Sequence, residues 1–453
     1  MSMKSLFLTQ PYLLSLKPDS EMYILWIQKE KTVGRVEYGH DQMLGKWVEA
    51  AEYPLIGLYV PRGEEYGETP EENEPVELWQ YIARIEGLSA GEKVFYRCQA
   101  STEQTQVYDF HAAPEKGQPF RVAQMSDLQG FENCDEAAWQ IGKMHPDLIF
   151  YSGDCSSFGW RADNWFDMGE SWQAERSRKR AFFPSMQRQD GARLMQYCPT
   201  FICPGNHEVD DLRVDMYEDF SVPDEHWSWS IYMQMFRPLY DLSDVSLTGK
   251  RWYSADYGDM HIVSLSLVRC SWWNPYVWPG WRLTDEISEG SPQRTWLRED
   301  LAHTKQPFTW VVQHWHLLNK GSDVQPNLCQ PVIDEEGKIT YPTDNCSQLM
   351  DIFEQGGVNG VSYGHSHVYE RYFEKNVHYI EAAYLSVCFR ESNAALHPGG
   401  YMPVVEDNSR HSFMILERRK GGLYATGYYA GDEPEIFDAY QIADENGKSV
   451  SPK

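Results

Sequence analysis

Five short apolar segments of the 453-residue chain each run into a polar cluster rich in Asp, Asn or His, and this restricts the fold more than any other feature. The segments are Arg121 to Met125, Leu148 to Tyr151, Phe201 to Cys203, Phe308 to Val312 and Val358 to Tyr363. Their clusters are Ser126-Asp127-Leu128-Gln129, Ser152-Gly153-Asp154, Pro204-Gly205-Asn206-His207-Glu208, Gln313-His314-Trp315-His316 and Gly364-His365-Ser366-His367. Helical patterns at Cys134 to Met144, Ala181 to Tyr197, Gln293 to His303 and Gln348 to Phe353 alternate with them, so the apolar runs read as buried strands of an α/β region. Open α/β sheets bind ligands just beyond the carboxyl ends of their strands. The five clusters therefore belong to one site.

The chain before residue 114 has a different rhythm. Tyr23 to Gln28, Arg35 to Tyr38, Trp79 to Ile85, Glu92 to Gln99 and Val107 to His111 read as short strands punctuated by turns, the pattern of a small β-sandwich. Ala113-Pro114-Glu115-Lys116-Gly117-Gln118-Pro119 breaks regular structure, which divides the chain into residues 1–113, a linker at 114–119, and residues 120–453. The acidic stretch Glu64 to Glu77 reads as a solvated loop.

Composition closes off several function classes. A formal net charge of −27 opposes a broad grip on nucleic-acid phosphates. No stretch approaches a membrane span, and Gln10 and Pro11 spoil a signal-peptide reading of the first residues. The sequence as given reads as cytoplasmic, or as periplasmic or secreted if a leader was removed. Nine scattered cysteines without CxxC spacing indicate neither a disulfide framework nor a zinc knuckle. Cys198 and Cys203 read as buried thiols, a Cys329–Cys346 pair stays open, and oligomeric state is not legible.

Asp, Asn and His without Cys supply oxygen and imidazole donors that suit iron, manganese or zinc. Asp127, Gln129, Asp154, Asn206, His314, His365 and His367 are more candidate ligands than one ion needs. A dinuclear centre, with ions about 3.5–4 Å apart around a bridging carboxylate, accounts for the surplus. Singly, an Asp at a strand end is a common turn or cap residue, and a lone His is a common hydrogen-bonded core residue. Five such segments in one order are not explained that way.

In order and wording, Asp127-x-Gln129, Gly153-Asp154, Gly205-Asn206-His207-Glu208, His314 and Gly364-His365-Ser366-His367 resemble the five blocks of the calcineurin-like metallophosphoesterases. Tyr369-Glu370-Arg371, and Trp252-Tyr253-Ser254 through Tyr257-Gly258, make the chain similar to purple acid phosphatases in particular. The resemblance implies an α+β chain: a fibronectin type III-like β-sandwich, then a four-layer α/β/β/α metallophosphoesterase domain. It further implies that Asp127, Asp154 and His367 hold one ion, that Asp154 bridges, and that Asn206, His314 and His365 complete the second site. His207 would face a small phosphorylated substrate as transition-state stabiliser or acid, while Glu208 orients its segment. The implied reaction is in-line attack on phosphorus by a metal-activated hydroxide, acting on a phosphomonoester. A phosphodiesterase, a nucleotide hydrolase, or a binding protein with a decayed site are the alternatives.

Two positions depart from the family pattern. Gln129 stands where most members have His and purple acid phosphatases have Gly, so its amide oxygen either ligates weakly or leaves the place to water. Ser157 replaces the Tyr whose phenolate gives the purple colour, and also the Asp that orients the acid histidine in protein serine/threonine phosphatases. A colourless or differently metallated site follows, with nearby Asp163 the candidate substitute carboxylate. His316, two residues beyond His314, either contacts substrate phosphate or packs behind the site. Arg371 reads as a partner for nearby carboxylates. The aromatic groups Trp160, Trp165, Trp172, Phe182 and Phe183, and the run Ser271 to Trp281, either wall the site or form a satellite core.

Overall fold

The computed structural model describes residues 5–60, 73–129, 134–168, 181–187, 194–209, 228–240, 250–268, 285, 287–318, 332–333, 339–340, 345–381, 402–407, 409–431 and 433–452. Trp172, Cys329, the run Ser271 to Trp281 and most of the acidic loop lie outside these residues.

The amino-terminal part is a β-sandwich. One sheet orders the strands Tyr12–Leu14, Glu21–Gln28, Leu78–Glu86 and Ala51–Leu55; the other orders Glu103–Gln104, Lys93–Ala100, Gly34–Gly39 and Lys46–Glu49, with Tyr108–His111 also on Lys93–Ala100. Alternation in Glu21–Gln28 sorts its side chains between two cores. Met22, Ile24 and Trp26 pack inside the sandwich with Val36, Tyr81 and Tyr96, while Leu25 and Ile27 join the core of the following domain. Trp26 stacks on Tyr81 with ring centroids 5.3 Å apart. The two domains are also tied by hydrogen bonds, in which Tyr12 Oη donates to the Met235 carbonyl at 2.8 Å and Tyr96 Oη to the Gln196 carbonyl at 2.7 Å.

The second domain stacks two sheets. A six-stranded sheet runs Thr200–Ile202, Leu148–Tyr151, Phe120–Met125, Ser412–Arg419, Gly422–Tyr429, Glu435–Asp444; a seven-stranded sheet runs Tyr253–Tyr257, Met260–Ser264, Phe308–Val312, Gly360–Tyr363, Val377–Glu381, Tyr369–Glu374, Val405–Asp407. The strands that end in polar clusters are mutually parallel within each sheet. Apart from exposed Arg121 at the start of its strand, their side chains are buried, as sheets covered on both faces require. Alternation again assigns the faces: Trp310 and Val312 enter the core between the sheets, and Val311 joins Leu297, Leu301, Leu349 and Phe353 of the outer helices. Phe150 of one sheet stacks against Trp310 of the other at 6.4 Å. Helix Cys134–Lys143 contributes Ala137, Ala138 and Ile141 to the core of the six-stranded side, giving the α/β/β/α order.

Local sequence explains the helix boundaries. Ser291 caps Pro292–His303 by accepting from the Arg294 amide, and proline fills the first helical position, where its missing N–H is harmless. The single helix expected over Ala181 to Tyr197 is instead Phe182–Met186 and Leu194–Tyr197 among the described residues; the first already ends at Gln187, whose φ of −126° is not helical. Trp160, Trp165, Phe182 and Phe183 are buried in the main core itself, neither walling the site nor forming a separate satellite core.

Candidate metal centre

Each cluster leaves its strand through a turn that still pairs with its neighbour. The Asp127 amide donates to the Gly153 carbonyl, the Cys203 amide to the Tyr151 carbonyl, and the Gly364 amide to the His314 carbonyl. These bonds lock the loops to one another beyond the sheet. Glycine is required where they nearly touch: a methyl on Gly205 would lie 2.1 Å from Asp154 Oδ1, and one on Gly364 would lie 2.3 Å from Asp127 Oδ2.

The site residues converge from both sheets. Donor atoms of Asp127, Asp154 and His367 lie within 4.8 Å of one another, and so do those of Asp154, His314 and His365. Asp154 is thus common to both groups. Asn206 Oδ1 is 3.0 Å from His314 Nε2 and 2.8 Å from His365 Nδ1, which places it with the second group. His367 Nε2 is 3.2 Å from Asp127 Oδ1, and the His365 amide donates to both Asp127 oxygens at 3.1 Å. Gln129 is also in the cluster, its amide donating to Asp154 Oδ2 at 2.7 Å.

The surroundings set the charge on these donors. His314 Nδ1 donates to the Ser152 carbonyl at 2.7 Å, so Nε2 is the nitrogen turned to the cluster. Burial disfavours charge on Asp154, yet the nearby His314 and His207 outweigh it and hold the carboxyl well below the usual range. Burial likewise lowers His314, but Asp154 reverses this and lifts it to about 9. Burial, with His314 and His316 alongside, pushes His365 well down, keeping it a neutral donor. Oxygen and imidazole donors without thiolate, grouped around a shared carboxylate, fit iron, zinc or manganese.

Glu208 is buried behind this cluster. Its Oε2 accepts from the Asp154 and Gly205 amides, both at 2.8 Å, and its Oε1 from the Ser156 amide at 3.1 Å. Burial and the Asp154 charge raise its carboxyl to about 7. It therefore clasps two of the site loops.

Other expected residues sit differently. Asp163 does not reach His207; it pairs with the Arg161 guanidinium at 2.9 and 3.1 Å and accepts from the Asn164 amide. His207 Nδ1 instead faces the Ser157 carbonyl at 2.9 Å, and the Ser157 hydroxyl donates to the Gln129 carbonyl. His316 is fully buried, 3.1 Å from the Ser366 hydroxyl. Arg371 forms a buried two-point pair with Asp438, which Tyr369 Oη also contacts. Glu381 escaped the sequence reading: it is buried and accepts from the Ser366 amide at 2.7 Å, holding the loop that carries His365 and His367. Its strand position directly opposite Glu370 appears only once the register is known.

A model of the calcineurin-like phosphoesterases matches residues 120–369, so the chain belongs to that family and is a metal-dependent phosphoric ester hydrolase. Among solved structures it is similar to the purple acid phosphatase PPD1 from yellow lupin (Lupinus luteus) seeds, at 16% identity and TM-score 0.62 over 95% of this chain and 73% of that one. It is also similar to PhoD, at 13% identity and TM-score 0.63 over 100% of this chain and 94% of that one. At these identities the likeness establishes the fold. No curated protein matches the chain. No helix among the described residues is long and apolar enough to cross a membrane.

Proposed function

We propose that the chain is a phosphomonoesterase with a dinuclear centre of iron, zinc or manganese ions, carried by residues 120–453 behind a fibronectin type III-like module at 1–113. The observation that supports it is the sharing of Asp154 between two donor groups. Asp127, Asp154 and His367 would hold one ion; Asp154, Asn206, His314 and His365 the other. Bound there, the ions supply charge neutralisation at phosphorus and lower the pKa of water.

The chain's own residues do the rest. Glu208 and the His365 amide fix the orientation of the loops carrying Asp154 and Asp127. His207, a partly exposed side chain of the cluster, would protonate the leaving oxygen. Ser157 offers no phenolate, so the site is colourless or differently metallated from the purple enzymes.

Metal analysis with hydrolysis of aryl phosphomonoesters, diesters and nucleotides tests this, Asp154→Ala serving as control. Two ions per chain and preference for monoesters are expected. Faster diester or nucleotide turnover replaces the substrate assignment. Tight metal without any turnover makes the chain a binder.

A further inference from the structure

Among the described residues a backbone carbonyl rather than a carboxylate backs His207 Nδ1, yet the ring is not loose. Its Nδ1 lies 2.9 Å from the Ser157 carbonyl oxygen, which can only accept, so Nδ1 carries a hydrogen and Nε2, 3.8 Å from Asp154 Oδ2, is the nitrogen that faces the site. A backbone carbonyl orients a ring only if its own peptide is held. Asn164 holds it: Oδ1 accepts from the Ser157 amide at 3.1 Å and from the Phe158 amide at 3.2 Å. Asn164 is fixed in turn, because Nδ2 donates to Asp163 Oδ1, and Asp163 is clamped by Arg161. The Ser157 hydroxyl, donating to the Gln129 carbonyl at 2.7 Å, pins the segment from its other side.

We propose that Asn164 is the positioning residue for His207, acting through the Ser157 carbonyl to aim Nε2 at the leaving-group oxygen. The inference rests on the assignment of His207 as acid made above. As the bond from phosphorus to the leaving oxygen breaks, its electron pair goes to that oxygen, which takes the Nε2 proton of the imidazolium. The product is a neutral imidazole whose Nδ1 hydrogen is still donated to Ser157, so the same contact serves both states. Solvent returns the proton to the partly exposed ring.

The arrangement predicts an effect that depends on the leaving group. A nitrophenolate leaves without a proton, whereas an alkoxide needs one, so misaiming His207 penalises alkyl esters selectively. The test compares kcat and KM for p-nitrophenyl and alkyl esters, with metal content measured for every variant.

For Asn164→Ala, kcat on the alkyl ester falls by about tenfold or more, while the p-nitrophenyl ester changes by less than about threefold and metal content is unchanged. Asn164→Asp keeps an acceptor oxygen for the two amides and restores most of the alkyl-ester rate, separating aiming from folding. His207→Ala, measured in parallel, shows the same selectivity in larger measure. Equal losses on both esters in Asn164→Ala, beside a selective loss in His207→Ala, overturn the positioning role alone. A non-selective His207→Ala, or a native chain that hydrolyses neither ester, overturns the acid assignment and the inference together.

Discussion

The six-stranded sheet brings Asp127, Gln129, Asp154 and Asn206 to the site, whereas the seven-stranded sheet brings His314, His365 and His367. One side supplies both carboxylates and both amides, the other only imidazoles. Neither sheet alone presents a metal site, so the site exists only when the sheets are stacked, as Phe150 against Trp310 requires. A cation bound between them would stabilise that stacking, since it has no comparable site in the unfolded chain.

The strongest way to break the comparison is at the residue both donor groups share. Asp154→Ala should abolish binding of both ions and lower activity by about three orders of magnitude or more; retention of one tightly held ion by metal analysis would refute the bridge. On the imidazole side, His314→Ala removes a member of one group only. It should leave one ion per chain and cost about 10²–10³-fold in kcat, and loss of both ions would show that the groups are not separable.

A buried support of the carboxylate side comes next. Glu208→Gln puts an amide nitrogen among three backbone N–H donors that now find carboxylate oxygens. Denaturant unfolding should register a loss of about 1–3 kcal/mol and kinetics a loss of about tenfold. Unchanged values on both counts would remove Glu208 from the site's support.

The smallest effect lies on the seven-stranded sheet, away from its polar strand ends. His261 Nδ1 contacts Asp256 at 2.7 Å and Nε2 contacts Asp300 at 2.8 Å. Burial opposes charge on His261, but these hydrogen bonds win and raise it from 6.5 to about 9. A raised histidine stabilises fully below pH 6.5, and its contribution disappears as pH rises through about 9. Over that window Tm should fall by about 2–4 °C, and His261→Gln should flatten the fall. An identical pH profile in the variant would exclude His261 as its source.

Much of this site was readable because the buried strands are mostly apolar and their abrupt polar ends stand out. Trp310-Val311-Val312-Gln313-His314 shows the change within five residues. The supports were less legible because they depend on which strands become neighbours. Glu381 meets the Ser366 amide only through the sheet register, and Asn164 acts on backbone amides that any residue would provide. Asp163 misled because nearness in sequence does not choose between two donors; Arg161 takes its carboxylate first. The strand Lys46–Glu49 was missed because its side chains are mostly exposed and lack apolar alternation.

Of ten non-glycine residues with left-handed backbone among the described residues, five are Asp127, Gln129, Asp154, His365 and His367. Such conformations cost L residues about 1–2 kcal/mol each and cost glycine almost nothing. At Asp127, Asp154, His365 and His367 the residue that would relax the backbone would also abolish a donor. A copy relieved of its chemistry would find an easy downhill route to glycine here, gaining stability while losing metal. This chain keeps the donor at all four, and Gln129 keeps a polar side chain turned to Asp154 in the same costly conformation.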